Sequence, residues 1–232
     1  MLESRPASHH HRALIKIRDL EFRYADSDFH LRVGALDIPQ RERVALIGSS
    51  GCGKTTLAHL IAGIHSPDRG EIHVAGKALH RLGDRPRRNF RISQVGFVFQ
   101  EFALLDYLSV EENILLPYFI NSSLRLTSER RMAALDLAKK LGLAAKLRRH
   151  PTQLSGGEKQ RVAICRALAT GPGLIIADEP TGNLDPENSA AVTALICEIA
   201  EQHGATLIMV THDHSLLDRF DRTIDLDQEV RT

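Results

Sequence analysis

The chain has 232 residues, of which 43% are hydrophobic and 25% are charged, and its formal net charge is +1. This is the composition of an ordinary globular protein, and the near-neutral charge gives no general attraction to nucleic acid or to an anionic membrane. The 3 cysteines are odd in number and form no CxxC pair, which disfavours both a disulfide framework and a cysteine zinc site.

The N-terminal part of the chain predicts a tail, several short strands and one helix. Residues 1–12 predict a loose tail, whose His9–His11 run can bind a metal ion, although a polar tail is the favoured interpretation. Alternating and β-branched runs from ALIKIRDLEFRY to RERVALIG predict strands. KTTLAHLIAGI predicts a helix that ends at Gly63 or in the SPDRG turn, and EIHVAG and VGFVFQ predict further strands.

The second half predicts helices around two buried strands. Residues 109–150 have leucine and alanine at helical spacing, with Ser128 as the expected cap of one helix. GLIIAD and ATLIMVTH are apolar runs typical of parallel strands that are buried on both faces. An amphipathic helix ending at Gly204 separates them, and RTIDLD predicts a last strand. The overall prediction is a parallel α/β core with a helical insert near residues 101–168.

The segment GSSGCGKTT follows the strand RVALI, precedes a helix and fits the pattern G-x-x-x-x-G-K-[ST]. Gly48, Gly51 and Gly53 allow such a loop to turn its backbone N–H groups inward, toward phosphate oxygens. Lys54 would supply a cation to the β- and γ-phosphates of a nucleotide, and Thr55 would offer a hydroxyl to Mg²⁺. The other loop residues predicted to contact the nucleotide are Ser49, Ser50, Cys52 and Thr56.

Cys52 has two interpretations inside this loop. The favoured one is a small side chain tolerated at a variable position of the motif. The other is an oxidation-sensitive thiol, activated by the helix N-terminus and by Lys54.

The segment LIIADEP places two carboxylates, Asp178 and Glu179, at the end of an apolar strand. Parallel sheets bind ligands at this edge. Asp178 would hold Mg²⁺, directly or through water, and Glu179 would orient the attacking water or accept its proton. Such a pair is weak evidence alone, but it gains weight after a phosphate loop because nucleotide hydrolysis needs a carboxylate that holds the metal.

The segment LSGGEKQRVAICRAL, residues 154–168, begins a predicted helix with one serine and two glycines. A helix N-terminus presents unpaired N–H groups and a partial positive charge, so this tip suits a phosphate, although it also fits a simple turn. With the two motifs above, LSGGEKQR resembles the ATP-binding cassette (ABC) family over nearly all of residues 13–228. The resemblance implies a P-loop NTPase core with a mostly parallel sheet, an antiparallel β subdomain and an inserted helical subdomain at about 101–168, followed by a tail at 229–232.

The resemblance also implies that two copies face each other head to tail. Each ATP then lies between the phosphate loop of one copy and the LSGG segment of the other. Ser155, Gly156 and Gly157 would contact the γ-phosphate of the partner's ATP, and Asp185 in GNLD would lie at the dimer interface.

Three more residues match positions of the family. Gln100 corresponds to a glutamine that contacts Mg²⁺ and water, His212 to a histidine that contacts the γ-phosphate, and Tyr24 to an aromatic residue that stacks on adenine. Taken singly, each has a structural interpretation: a polar strand end, a strand-end histidine and a core aromatic. Their order along the chain with the two strong motifs favours the functional interpretation.

The resemblance further implies that the chain hydrolyses Mg-ATP for an integral membrane subunit, as a peripheral protein on the cytoplasmic face of the inner or cell membrane. GFVFQEFALLDYLSVEENILLP and DEPTGNLD resemble the group of lipoprotein-release, macrolide-export and cell-division cassettes, in which dimerisation is transmitted mechanically. The alternative is a cassette that works as a regulatory switch or a cell-division-type scaffold without moving cargo. No nucleic-acid partner is expected. RTIDLDQEVRT departs from the group because it lacks the usual Asp-Gly turn.

Two weaker features have open interpretations. An arginine cluster between residues 81 and 91 is interpreted as a solvated loop, with a lipid- or nucleic-acid-binding surface as the alternative. Apolar residues after Gln100 either line a groove for the membrane subunit or pack within the helical subdomain. These residues are Phe102, Leu104, Leu105, Tyr107 and Leu108.

Overall fold

A computed structural model describes residues 13–182 and 186–229 of the chain. The predictions for Asp185 and for the His9–His11 run fall outside the described residues. Within those two ranges, none of the helices combines the length and the apolar character that crossing a bilayer requires.

The strands and helices follow the predicted order. The strands are β1 (Ala13–Arg23), β2 (His30–Pro39), β3 (Arg43–Ile47), β4 (Arg69–Val74), β5 (Lys77–Ala78), β6 (Val95–Val98), β7 (Leu174–Asp178), β8 (Thr206–Val210) and β9 (Arg222–Asp225). The helices are α1 (Lys54–Ile61), α2 (Asp84–Gln94), α3 (Val110–Ile120), α4 (Ser128–Lys140), α5 (Gly156–Leu168), α6 (Pro186–Gln202) and α7 (Leu226–Glu229).

The strands form two sheets. The first has the order β2-β1-β4-β5, and its neighbouring strands are antiparallel. The second has the order β6-β7-β8-β3-β9, and its neighbouring strands are parallel. This arrangement confirms the predicted combination of a parallel core sheet with an antiparallel β subdomain. The carboxyl ends of β3, β7 and β8 therefore meet at one edge, where α/β sheets place their ligands.

The parallel sheet is covered on both faces, which explains why its central strands are apolar throughout. Ile176 and Ile208 point into a core shared with the antiparallel sheet and α1. Ile175 and Leu207, one residue away on the same strands, point into a core shared with α3, α4, α5 and α6. The helical segment thus packs on the sheet that carries the phosphate loop. Its predicted boundaries, 101 and 168, stay a prediction.

Two predictions of local structure are wrong. Thr127, not Ser128, caps α4, because the Thr127 side chain accepts a hydrogen bond from the N–H of Arg130 and Ser128 is already helical. The arginine cluster is not a loop, since most of it forms α2. Asp84 in the first turn pairs with Arg88 one turn later, and buried Phe90 anchors the helix to the core.

Gly96 in β6 tests the fit between the sheet and α5. A Cβ atom there would lie 2.5 Å from the carbonyl oxygen of Ala167, so we expect Gly96→Ala to lower the free energy of unfolding by about 1–3 kcal/mol in urea titrations. Gly34→Ala in β2 is the control, because no heavy atom lies within 4 Å of its added methyl. Equal stability of the two variants would contradict this packing.

Candidate functional site

The loop between β3 and α1 is shaped by glycines. Gly53 precedes α1 in the left-handed region with φ 106°, and a Cβ there would lie 2.9 Å from Cζ of Phe29. Gly48 has φ 146°, and its Cβ would lie 2.7 Å from the sulfur of Cys52. Both positions therefore require glycine for space as well as for conformation. The result is a tight loop around the N-terminus of α1.

The ammonium group of Lys54 lies inside this loop. Its Nζ donates hydrogen bonds to the carbonyl oxygens of Gly48 and Ser49, at 2.9 and 2.8 Å. Lys54 is only 7% exposed. A buried cation next to the N-terminus of a helix is an environment that favours an anion, and phosphate is the anion such loops accommodate.

Thr55 and Asp178 form a pair of oxygen groups beside the loop. The Thr55 hydroxyl donates to Oδ1 of Asp178 at 3.0 Å, which joins the start of α1 to the end of β7. Burial raises the pKa of the Asp178 carboxyl, and the hydrogen bond from Thr55 opposes that shift. A hydroxyl and a carboxylate at this separation are the hard oxygen ligands that Mg²⁺ prefers. The chain's own residues thus fit a magnesium ion next to a bound phosphate.

Glu179, Gln100 and His212 meet at the same edge of the sheet. Oε2 of Glu179 accepts a hydrogen bond from Nε2 of Gln100 at 3.4 Å and lies 3.8 Å from Nδ1 of His212. Glu179 has φ 44°, which is unfavourable for a residue with a side chain. Strained backbone of this kind concentrates at functional sites, where the surroundings hold it in place.

Lys54, Thr55, Glu179 and His212 open into one cleft of about 570 Å³. The predicted site residues Ser49, Cys52, Gln100 and Asp178 are not among the residues that line it. Its lining residues are Tyr24, Ser27, Phe29, Gly48, Ser50, Gly51, Gly53, Lys54, Thr55, Thr56, Glu179 and His212. Ser27 and Phe29 are additions to the residues predicted from sequence. They belong to the turn between β1 and β2, which carries no motif of its own and comes to the cleft only through the packing of the two sheets.

Tyr24 lies at the end of the cleft beyond the loop. Its hydroxyl is 3.2 Å from Oγ1 of Thr56, and its ring contacts Phe22 edge to face at 4.9 Å between centroids. The side chain is not a core residue, since it is 38% exposed. The flat ring at this position offers a stacking surface to a planar group.

Ser155, Gly156 and Gly157 are not among the residues lining this cleft. They form the N-terminal tip of α5, where the Ser155 side chain and Glu158 make a capping box. The backbone hydrogen bond from Ser155 lowers the pKa of the Glu158 carboxyl to about 2, and Lys146 contributes at 3.0 Å. Ser155 and Gly156 are exposed. The tip is therefore capped and faces solvent.

Cys52 packs under the loop. Burial raises the pKa of its thiol, and nearby Lys54 opposes the shift to a smaller extent. A half-buried thiol with a raised pKa is a poor nucleophile. This environment favours the interpretation of Cys52 as a small packing residue over that of an activated thiol.

A second concave surface, an apolar groove of about 220 Å³, lies between α2, β6 and α3. It is lined by Arg91, Ile92, Val95, Phe97, Phe99, Ala103, Leu116, Pro117, Ile120, Arg166, Ala167 and Thr170. The residues predicted for such a groove lie elsewhere: Leu104 packs on the helical core, and Tyr107 is 74% exposed. The packing of Leu104 fits the alternative interpretation, packing within the helical subdomain, and a contact of these residues with a membrane subunit stays a prediction. Helix α2, interpreted from sequence as a loop, supplies one wall of the apolar groove.

Comparison with known proteins identifies the family. The ABC transporter family matches residues 31–182. The lipoprotein-releasing system ATP-binding protein LolD of Chromohalobacter salexigens is 43% identical over 193 residues, which cover 83% of this chain and 81% of LolD. An uncharacterized ABC transporter ATP-binding protein of Mycobacterium tuberculosis is 46% identical over 192 residues, covering 82% of this chain and 76% of that protein.

Solved structures agree with this assignment. The ATP-binding cassette MJ0796, in a dimeric post-hydrolysis state bound to ADP and Pi, has a TM-score of 0.81 and 32% sequence identity to this chain. The match covers 94% of this chain and 97% of that one. The fold that carries the phosphate loop, the carboxylates at the sheet edge and the LSGG tip is thus that of an ATP-binding cassette. The chain is a member of the ABC transporter family, an ATP-binding ATPase subunit built on the P-loop fold.

Proposed function

We propose that this chain binds Mg-ATP in the cleft around Lys54 and hydrolyses it to drive a membrane transporter. The observation that carries this proposal is the convergence of a buried ammonium, a hydroxyl–carboxylate pair and a second carboxylate at one sheet edge. A triphosphate, a metal ion and a water molecule are the three groups that such a set can hold.

Binding divides among three parts of the cleft. Lys54 and the N–H groups of the loop from Gly48 to Thr56 hold the phosphates, and the ring of Tyr24 stacks on the adenine. Thr55, Asp178 and Gln100 hold Mg²⁺. When bound, Mg²⁺ neutralises phosphate charge and orients the phosphate chain.

Glu179 then acts on water. Its carboxylate orients the water and accepts its proton as the water attacks the γ-phosphate, while the bond from the γ-phosphate to the departing ADP breaks. Gln100, 3.4 Å away, and His212, 3.8 Å away, fix the position of that carboxylate. His212 also contacts the γ-phosphate in this proposal.

A second copy of the chain completes the site. Ser155, Gly156 and Gly157 do not line the cleft of their own chain, and their exposed helix tip suits the γ-phosphate of an ATP held by another copy. Asp185 would contribute at the same interface. The similar cassette MJ0796 is dimeric, which supports a head-to-tail pair.

The groove beside α2 would receive an integral membrane subunit, so the chain would work as a peripheral protein on the cytoplasmic face of the membrane. Arg166 of α5 lines this groove and donates hydrogen bonds to the carbonyl oxygens of Phe102 and Ala103, just beyond Gln100. One helix thus joins the Ser155 tip to the groove. Similarity to LolD supports an export or mechanotransmission system within the family.

The variant Asp178→Asn tests whether the Asp178 carboxylate serves metal binding or the stability of the fold. Burial raises the pKa of Asp178 in the folded state. At a pH above the lower pKa that this carboxyl has in the unfolded chain, its ionisation therefore favours unfolding. The loss of stability reaches its full size above the raised pKa of the folded state. We expect the variant to melt at a higher temperature than the parent without nucleotide at pH 7, with the difference vanishing as the pH falls toward about 4. ATPase activity should fall at least about tenfold because Mg²⁺ loses a ligand.

Thermal melts between pH 4 and pH 8, with a coupled ATPase assay, measure both effects. The control is Asp136→Asn, a change at an exposed position of α4. A lower melting temperature for Asp178→Asn would show that the carboxylate serves the fold, and unchanged ATPase activity would remove it from the metal site.

Glu179→Gln should keep ATP binding and lower turnover by about 10²- to 10⁴-fold, because the amide cannot accept the proton of water. ATP that is bound and not hydrolysed should hold two copies together. We therefore expect this variant to elute from gel filtration as a dimer with Mg-ATP and as a monomer without it. Addition of Lys54→Ala should abolish the dimer. Monomer elution at saturating Mg-ATP would contradict the shared site.

The membrane partner is tested by pull-down from membranes with tagged Glu179→Gln in Mg-ATP. Ile120→Glu places a charge in the groove at a position that is 62% exposed, and Met132→Glu is the control at a position that is 58% exposed on α4. We expect the parent and Met132→Glu to recover a membrane protein with few spans and a large external domain, and Ile120→Glu to fail to recover it. A many-span permease would overturn the proposed export branch, and only soluble partners or nucleic acid would overturn the transport role.

A further inference from the structure

The phosphate loop has an anchor outside the family motifs. Oδ2 of Asp227 accepts a hydrogen bond from the backbone N–H of Ser49 at 2.6 Å, and Oδ1 accepts one from the Ser49 hydroxyl at 2.8 Å. Asp227 belongs to α7, which follows the last strand. One carboxylate therefore accepts from both donors of Ser49, the second residue of the loop.

The sheet brings these two residues together. β9 runs parallel to β3, and Ile47 pairs with Asp225. Ser49 and Asp227 each lie two residues beyond this pair, just past the ends of the two strands. At the opposite end of the pair, Arg43 donates two side-chain hydrogen bonds to the Asp221 carboxylate, at 2.7 and 3.1 Å, which fixes the alignment of the two strands.

The loop is thus held from two directions. Lys54 donates to the carbonyl oxygens of Gly48 and Ser49 from inside the loop, and Asp227 accepts from the N–H and hydroxyl of Ser49. The Lys54 bonds compete with the ligand, because the same ammonium serves the phosphates. Asp227 does not line the nucleotide cleft, so its bonds to Ser49 remain available when the cleft is filled.

The charge of Asp227 suits this task. The hydrogen bonds from Ser49 lower the pKa of its carboxyl, so it is ionised at neutral pH. An ionised acceptor makes a stronger bond to an N–H group than a neutral one does. The backbone N–H of Asp227 in turn donates to Oδ1 of Asp225 at 3.1 Å, which fixes the start of α7.

We propose that Asp227 is a positioning residue for the nucleotide, which holds Ser49 so that the loop keeps the shape that binds phosphate. The proposal rests on the ATPase function proposed above. Preorganisation of a glycine-rich loop lowers the conformational entropy that binding removes. Loss of Asp227 should therefore weaken ATP binding more than it slows the chemical step, since Asp227 touches neither the reacting phosphate nor the water.

The test compares Asp227→Ala and Asp227→Asn with the parent chain. We expect Asp227→Ala to raise the Kd for Mg-ATP, measured by calorimetry in the Glu179→Gln background, by roughly five- to tenfold. The KM in the hydrolysis-competent chain should rise in parallel, with kcat changed by less than about twofold. Asp227→Asn keeps one acceptor oxygen, so its Kd for Mg-ATP should lie between those of the parent and Asp227→Ala. Gln228→Ala, on the same helix, is the control and should bind ATP as the parent does.

A double-mutant cycle distinguishes positioning from a general loss of structure. Ser49→Ala removes one of the two donors, so its effect on the Kd should largely disappear once Asp227 is alanine. Additive effects of the two changes, an unchanged Kd in Asp227→Ala, or a loss confined to kcat would each overturn the proposal. If Asp227→Ala does not fold in urea titrations, Asp227→Asn with Ser49→Ala provides the same cycle. A parent chain that fails to bind Mg-ATP would instead overturn the proposed function.

Discussion

A buried ammonium at the end of a parallel strand is the constraint on which this site depends. Lys54 is almost fully buried. Among the residues that the structure describes, its ammonium donates to the carbonyl oxygens of Gly48 and Ser49 and to the sulfur of Cys52, not to a carboxylate. A buried cation with neutral partners is unfavourable unless an anion joins it. The glycine loop, the α1 N-terminus and the hydroxyl–carboxylate pair of Thr55 and Asp178 arrange the surroundings for that anion and its metal ion.

The second constraint is that one helix, α5, connects the Ser155 tip with the apolar groove. α5 begins at the exposed Ser155 tip and ends near Arg166, which holds the backbone of Phe102 and Ala103 beside the apolar groove. Its middle is buried against α3 and β6. Closely packed elements move as units rather than bending continuously. If contact with ATP moves the tip of α5, the groove and the segment next to Gln100 would therefore move with it.

Sequence predicted most of what is local. The phosphate loop, the Asp178–Glu179 pair and the apolar strands each carry a pattern of their own. The structure confirms that the loop joins β3 to α1 and that the pair lies at the end of β7. The helix α2 was missed because its many arginines suggest solvent, whereas one buried side chain, Phe90, anchors it. The bond from Ser49 to Asp227 joins residues 178 positions apart. Only the pairing of β9 with β3 reveals it.

In the proposed dimer, ATP lies between the phosphate loop of one copy and the Ser155 tip of another. The most direct measurement mixes a Ser50→Cys chain with a Ser155→Cys chain, both carrying Cys52→Ser and Glu179→Gln, and adds a bifunctional thiol reagent that spans a triphosphate. We expect cross-linked pairs of the two different chains with Mg-ATP and none without it. Failure of the mixed pair to cross-link with Mg-ATP, or equal cross-linking of Ser155→Cys to itself, would contradict the proposed dimer.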